Sequence, residues 1–421
     1  MAASTIQDLL SSTPLEYSKY EELYTYFHAN PELSNCEKET AARLAEEVSK
    51  FGVFEVHKDI GGHGLAAVFK NGDGNTILLR ADFDALPVEE QTGLPYASTK
   101  KMKDVNGNEK NVMHACGHDV HITCLLAATE VLIRLKDSWS GTLILCFQPE
   151  EERGTGAQAM VDGGLYDKVP TPDFVLGQHV MNLPAGKVAS KKGTIMAAAD
   201  SYKITLFGRG GHGSMPHMTI DPVLMASNLI QRLQTVVSRE TNPSDMAVLT
   251  VGSLHVGHTE NIISDRAEIG LDIRNVSTQT RDKMIASIKR MVHAEFIASG
   301  STKEPTIEQT RTFPRTDNDV DMASKLAEAF STHFGEHFDA DTARVNASED
   351  VSILATSKGK PYLFWFFGGT DAETYAKAEK AGRIYEDIPG NHSPFFAPVI
   401  QPTLKTGTEA MCVAALTFLK K

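Results

Sequence analysis

Thr76-Ile-Leu-Leu-Arg-Ala-Asp-Phe-Asp84 is apolar but for Arg80 as far as Ala81, and then turns acidic. Near-unbroken hydrophobicity over one short run suits a strand covered on both faces, as in a parallel sheet between helical layers. Open α/β sheets collect their ligands just beyond the carboxyl ends of such strands, where Asp82 and Asp84 fall. The pattern recurs downstream: Thr142–Phe147 (TLILCF) runs into Glu150-Glu151-Glu152, and Phe174–Gln178 into His179. Between them, Asp119–Lys136 lacks glycine and proline and has helical apolar spacing. Upstream, helices are expected over Leu15–Ala29 and Asn35–Phe51. The strand Leu65–Lys70 is expected to pair with Thr76–Ala81 as a hairpin across Asn71-Gly-Asp-Gly74. The class is α/β, a mixed sheet flanked by helices.

From Asp200 the character changes. Ser201–Phe207 alternates like a half-exposed strand. A helix follows over Asp221–Arg239, then strands Met246–His255 and Arg266–Arg274, a helix Thr280–Ala298 and a strand near Glu304–Gln309. That order, β-α-β-β-α-β, is the self-contained ferredoxin-like unit. It is expected to be an insertion, residues 196–309, splitting a catalytic domain into 1–195 and 310–421. After it come helices at Asp319–Phe334 and Asp350–Ser357, a strand Pro361–Phe367 and a last helix Gly407–Leu419.

A chain of 421 residues holds two such domains comfortably. Its 41 basic and 54 acidic side chains leave a net charge of −13, which argues against a nucleic-acid or anionic-membrane surface. No apolar run is long enough to span a bilayer. The first residues, MAASTIQDLLSS, lack the pattern of a secretory signal, and TFLKK lacks a lipidation or peroxisomal signal. Five scattered cysteines do not form a disulfide framework, so a reducing cytoplasm is expected. Asn391-His392-Ser393 has the form of a glycosylation sequon, and a glycan there would fall on a candidate metal ligand.

Ligand-type residues gather at four element ends: Asp82 and Asp84; Cys116, His118 and Asp119; Glu150–Glu152; and His179. Thiolate, imidazole and carboxylate together suit zinc, manganese or cobalt. Three consecutive glutamates repel unless a cation offsets them. His114 and His121 flank the pair and compete as ligands by spacing, whereas Cys124 and Cys146 belong to the core. HExxH, a phosphate-binding GxxxxGK[ST] loop, GxSxG and C-x-x-C are all absent. Gly208–Gly213 (GRGGHG) is a weak phosphate signal.

His28–Ser34 (HANPELS), Arg80–Glu90 (RADFDALPVEE), Met113–His121 (MHACGHDVH), Phe147–Glu152 (FQPEEE), Gly208–His217 (GRGGHGSMPH), Asn261–Asp265 (NIISD), Ser348–Asp350 (SED) and Asn391–Phe396 (NHSPFF) follow one another along nearly the whole chain. The sequence resembles the di-metal amidohydrolases of peptidase family M20, in the subgroup of auxin-conjugate, hippurate and N-acyl-amino-acid hydrolases. The resemblance implies a metal-binding α/β domain with an inserted dimerisation domain, hence a homodimer, acting on small N-acyl amino acids. It implies two divalent ions, zinc or manganese with cobalt as a third candidate. Their ligands would be Cys116, His118, Glu152, His179 and His392, with Glu151 as catalytic base and Asp84 orienting a metal-site residue. His212 resembles the histidine that reaches a neighbouring subunit's site, and Asn261 and Arg274 resemble the groups that hold the substrate carboxylate. The family carries alanine where Glu150 stands and glycine at Arg153, which leaves base and ligand able to shift by one glutamate. Ser264 stands where proline is usual, and LDIR before Asn275 where GTVR is commoner; both bear on substrate preference.

A dipeptidase or metallo-carboxypeptidase of the same family is the alternative enzyme, although dipeptidases carry HxD where this chain has Asp82-Phe-Asp84. A binding protein that kept the fold is the non-enzymatic alternative. Phe364–Phe367, Tyr385, Phe395 and Phe396 are candidates for an aromatic acyl pocket or for ordinary core.

Overall fold

The structure, a computed structural model, describes residues 5–419, so the readings at the first four and last two positions lie outside it. Two compact units form. One takes the chain up to Ile195 together with Thr316–Arg344 and everything from Asp350 on; the other takes Met196–Arg315 and Val345–Glu349.

The first unit is built on an eight-stranded mixed sheet. Its order is Glu55–Ile60, Gly64–Lys70, Thr142–Gln148, Thr76–Asp82, Phe174–Pro184, Tyr362–Thr370, Val188–Ala189 and Phe338–Asp339. The expected hairpin does not form. Thr142–Gln148 inserts between its two arms, antiparallel to Gly64–Lys70 (Leu65 opposite Phe147) and parallel to Thr76–Asp82 (Thr76 beside Thr142). The true hairpin lies one strand earlier, Glu55–Ile60 on Gly64–Lys70, across Gly61 and Gly62, both at positive φ. EVHKDI carries no apolar signal because it is the sheet's largely exposed edge, where charge blunts further pairing.

The four central strands run parallel, so their carboxyl ends share one edge. Register sets the level of the polar residues there. Asp82 sits opposite Gln148, and Arg80 opposite Gly177, which puts His179 level with Asp82. The helix His118–Arg134 is buried along almost its whole length and packs under the C-terminal helix Ile400–Leu419. They are close at Gly407, where a Cβ would lie 2.7 Å from Cys124 Sγ and 2.8 Å from the Phe367 ring.

The second unit has the order β-α-β-β-α-β: Ala198–Phe207, helix Pro222–Thr235, Ala247–Val256, Arg266–Asn275, helix Thr278–Ser299 and Thr306–Phe313. The sheet is antiparallel, with Ala198–Phe207 and Arg266–Asn275 inside and Ala247–Val256 and Thr306–Phe313 at its edges. The last ladder continues to the Ala199–Phe313 pair, so the break in the chain falls at Arg315 rather than 309. Ile204, Leu206, Leu229, Ile269, Leu271 and Ile288 fill its core. Buried Asp200 is satisfied by both arms of Arg281, by Gln309 and by Thr312.

Candidate metal centre

Above the carboxyl edge, Gly117 turns the chain into the long helix. It stands at φ +84°, and a Cβ there would come within 2.3 Å of Val180 Cγ1, so only glycine lets Cys116 and His118 approach the sheet this closely. The glutamates leave their strand through a second tight turn. Glu150 adopts φ +53°, its N–H donates to Glu37 Oε1 at 3.0 Å, and its carboxylate accepts from Thr155 Oγ1 at 2.9 Å. Glu150 therefore faces away from the edge. Glu151 and Glu152 face His118.

His118 is fully buried. Its Nδ1 is held by the Asp84 carbonyl at 2.9 Å and by Asp84 Oδ1 at 3.2 Å. Its Nε2 makes no hydrogen bond among the described residues, yet Asp82 Oδ2, Glu152 Oε1 and Glu151 Oε2 stand 3.6, 3.9 and 4.0 Å away. A buried nitrogen ringed by carboxylates too far to bond is shaped for a cation between them. Burial opposes charge on His118, but Asp82, Asp84 and Glu152 outweigh it and push the imidazole up to about 10. Cys116 Sγ, His118 and Glu152 bring their ligand atoms within 4.8 Å of one another, as do Asp82, His118, His121 and His179. Cys116 Sγ lies 3.4 Å from His179 Nε2, and His392 Nε2 lies 3.2 Å from Glu152 Oε1. Cys116, His118, Glu152, His179 and His392 thus meet at one place.

The family model described as peptidase family M20/M25/M40 matches residues 78–389, a span that carries every one of these residues except His392. The chain belongs to that family.

Within the M20 family, the hippurate hydrolase of Campylobacter jejuni is 40% identical over 354 residues, covering 82% of this chain and 87% of that protein. Thermostable carboxypeptidase 2 of Saccharolobus solfataricus is 36% identical over 403 residues, 94% of each chain. Among solved structures, a dinuclear metal-binding M20 peptidase from Bacillus subtilis superposes with a TM-score of 0.72 at 25% identity, over 96% of this chain and 98% of that one.

The electrostatics of this M20 site favour bound cations. Burial, and then Glu152, Glu151 and Asp82, push the Cys116 thiol far up, so a thiolate needs neighbouring positive charge. His179 moves the other way: burial and the nearby His121 hold it well below the ordinary histidine value, neutral and fit to ligate. Asp82 is opposed by burial, but Arg80, His118 and His121 keep it ionised far into acid. Arg80 itself is buried, bonded to Asp82 at 2.7 Å and Gln148 at 2.9 Å, with Asp350 at 3.2 Å.

The two competing histidines part ways. His121 spends both nitrogens, Nδ1 on Asp82 at 2.5 Å and Nε2 on the Val180 N–H at 2.8 Å. His114 is buried with neither nitrogen bonded among the described residues, and burial lowers it to about 4. A third buried histidine escaped the spacing argument. His28 bridges Asp119 at 2.7 Å and Glu90 at 3.0 Å, residues too distant in sequence for any local pattern to join.

His212, Asn261 and Arg274 lie in the second unit. The short ladder of Gly211–His212 on Ile262–Ile263 brings His212 beside Asn261, and both are exposed. Ser214 engages His212 Nδ1 through N at 3.1 Å and Oγ at 2.7 Å. Arg274 is tied to Asp272 at 3.1 Å and to the Asn346 carbonyl at 2.8 Å. Phe364, Phe366 and Phe367 are all buried. They lie in a central strand covered on both faces, while Tyr385 is 98% exposed.

Proposed function

We propose that the chain hydrolyses the amide bond of N-acyl amino acids, releasing a carboxylic acid and a free amino acid. The observation that carries this is the bare Nε2 of His118 among three carboxylates, with Cys116 and His179 beside it. Similarity to a hippurate hydrolase supports the substrate class.

Cys116, His118, Glu152, His179 and His392 would hold two divalent ions, zinc or manganese, with cobalt a third candidate. Such ions would lower the pKa of a water toward neutrality and polarise the scissile carbonyl. Glu151, 5% exposed and facing the same space, accepts the water's proton and returns it to the departing nitrogen. Asp84 fixes the His118 ring through Nδ1, leaving Nε2 directed at the carboxylates, where it would serve as a ligand. The inserted domain, residues 196–309 extended to Arg315, serves dimerisation. In a homodimer His212 stabilises the oxyanion, and Asn261 and Arg274 hold the carboxylate of the leaving amino acid.

No helix among the described residues is long and apolar enough to cross a membrane. A cytoplasmic location is favoured by the cysteines, none of which is in a disulfide, and by Asn391, whose side-chain nitrogen donates to the carbonyls of Cys116 and Val180.

The test is amino-acid release from N-acetyl, N-benzoyl, N-fatty-acyl and indole-acetyl amino acids, with manganese or zinc and again with chelator. Metal-dependent release is expected. Silence across the panel with metal bound would overturn the proposal. Release from short peptides alone would replace it with the carboxypeptidase reading that the Saccharolobus relative favours.

A further inference from the structure

We infer that the backbone of one residue, Val180, positions the metal-facing histidines, its N–H held by His121 and its carbonyl by Asn391. The inference rests on His179, His392 and Cys116 being ligands.

The Val180 N–H donates to His121 Nε2 at 2.8 Å. That bond makes Nε2 the acceptor, so the ring's proton sits on Nδ1 and is donated to Asp82 Oδ1 at 2.5 Å. Asp82 is anchored in turn by Arg80 at 2.7 Å. The carbonyl of the same residue, in the next peptide group, is equally committed. The Val180 carbonyl accepts from His179 Nδ1 at 2.7 Å and from Asn391 Nδ2 at 3.1 Å, which occupies both of its lone pairs. With its proton on Nδ1, His179 presents a bare Nε2 toward Cys116 Sγ.

Asn391 Nδ2 also donates to the Cys116 carbonyl at 3.1 Å and lies 3.9 Å from Cys116 Sγ. The next residue is His392, at φ +72° with a side chain 55% exposed, and its N–H donates to the Ala115 carbonyl at 2.7 Å. His392 stands in a loop outside the described strands and helices, so its placement depends on this stitching. His121 is then a positioning residue, not a ligand: coordinating a metal through Nε2 would strip the acceptor from a buried N–H.

The experiment is equilibrium titration of the purified chain with cobalt(II), read by absorbance, and with zinc(II) by competition, alongside kcat and KM. His121→Gln can return an acceptor to the Val180 N–H, whereas His121→Asn reaches only Asp82. The expected result is near-native cobalt binding for H121Q and a loss of roughly 10–100-fold for H121N, the usual scale for groups that orient metal ligands. Asn391→Asp, on an accessible loop, turns an acceptor toward two carbonyls and is expected to lose as much. The double variant H121N/N391D should lose less than the product of the single losses, because both act through the backbone of one residue, Val180. His179→Ala is the control. Native binding by H179A would overturn the ligand reading itself. Weakened binding by H179A, with H121N and N391D native or their losses fully multiplicative, would overturn this inference alone.

Discussion

Asp84 grips His118 twice at the same nitrogen, through its carbonyl at 2.9 Å and its carboxylate at 3.2 Å. The other carboxylate oxygen accepts from Ser34 Oγ at 2.7 Å and from the Glu152 N–H at 3.1 Å. One side chain therefore aims a histidine and sets the backbone of the facing glutamate. In Asp84→Asn an amide NH2 must replace one of these oxygens and face a donor. Metal affinity is expected to fall about 10–100-fold with the fold intact. Calorimetric titration with zinc checks it, and native affinity would refute the role.

Glu151→Gln keeps the size and shape of the side chain but removes the proton carrier. The expected loss in kcat is about 10²–10⁴-fold, with KM and metal content near native. If turnover survives with both ions bound, Glu151 is not the base. The same substitution at Glu150, which faces Thr155, should cost far less activity.

The His28 cluster yields a pH prediction. Burial resists its charge, yet Asp119 and Glu90 push His28 up to about 10. In the unfolded chain histidine titrates near ~6.5, so this contribution is full below that pH and is lost as pH rises through about 10. Asp119 and Glu90 are both lowered, so their share is present above the ordinary carboxylate range and disappears in acid. Thermal denaturation should show stability falling between about pH 7 and 10, and this alkaline slope should flatten in His28→Gln. At pH 7 that variant leaves a buried carboxylate uncompensated and is expected to lose about 3–5 kcal/mol. An unchanged alkaline slope would mean His28 is neutral in the folded chain.

Gly407→Ala places a methyl within 2.7 Å of Cys124 Sγ and 2.8 Å of the Phe367 ring, between two fully packed elements. Overpacking there should cost about 1–3 kcal/mol in denaturant unfolding. The fold would move before the chemistry does, with kcat per folded molecule near native. A stability gain would show that the helices have slack at that crossing.

Much of the frame was legible because its signals are local. TILLRA, TLILCF and FVLGQ announce central strands, and the β-α-β-β-α-β order announces the inserted unit. What local pattern could not supply was partnership. Asn71–Gly74 turns the chain as expected, but nothing in the turn reveals that Thr142–Gln148 will enter between the strands it joins. At the site, residue type marked out Cys116, His118, Glu152 and His179, and the fold brings these four side chains near one another. Residue type could not separate His121 from His118, since both are imidazoles on one helix and differ only in what Asp82, Asp84 and Val180 do to their nitrogens. The aromatic residues of Tyr362–Thr370 invited a pocket, and the strand they form is buried along nearly its whole length.

The placing of Tyr362–Thr370 between Phe174–Pro184 and Val188–Ala189 also bears on synthesis. At ~5–20 residues per second, a ribosome needs roughly 10–35 s to travel from Pro184 to Tyr362. Throughout that interval Phe174–Pro184 has one open flank, and the inserted unit has time to complete its own core. The last helix, which closes over the long one, emerges later still. Nascent chains stalled before residue 362 should therefore engage chaperones through the N-terminal segment while the insertion is already protease-resistant.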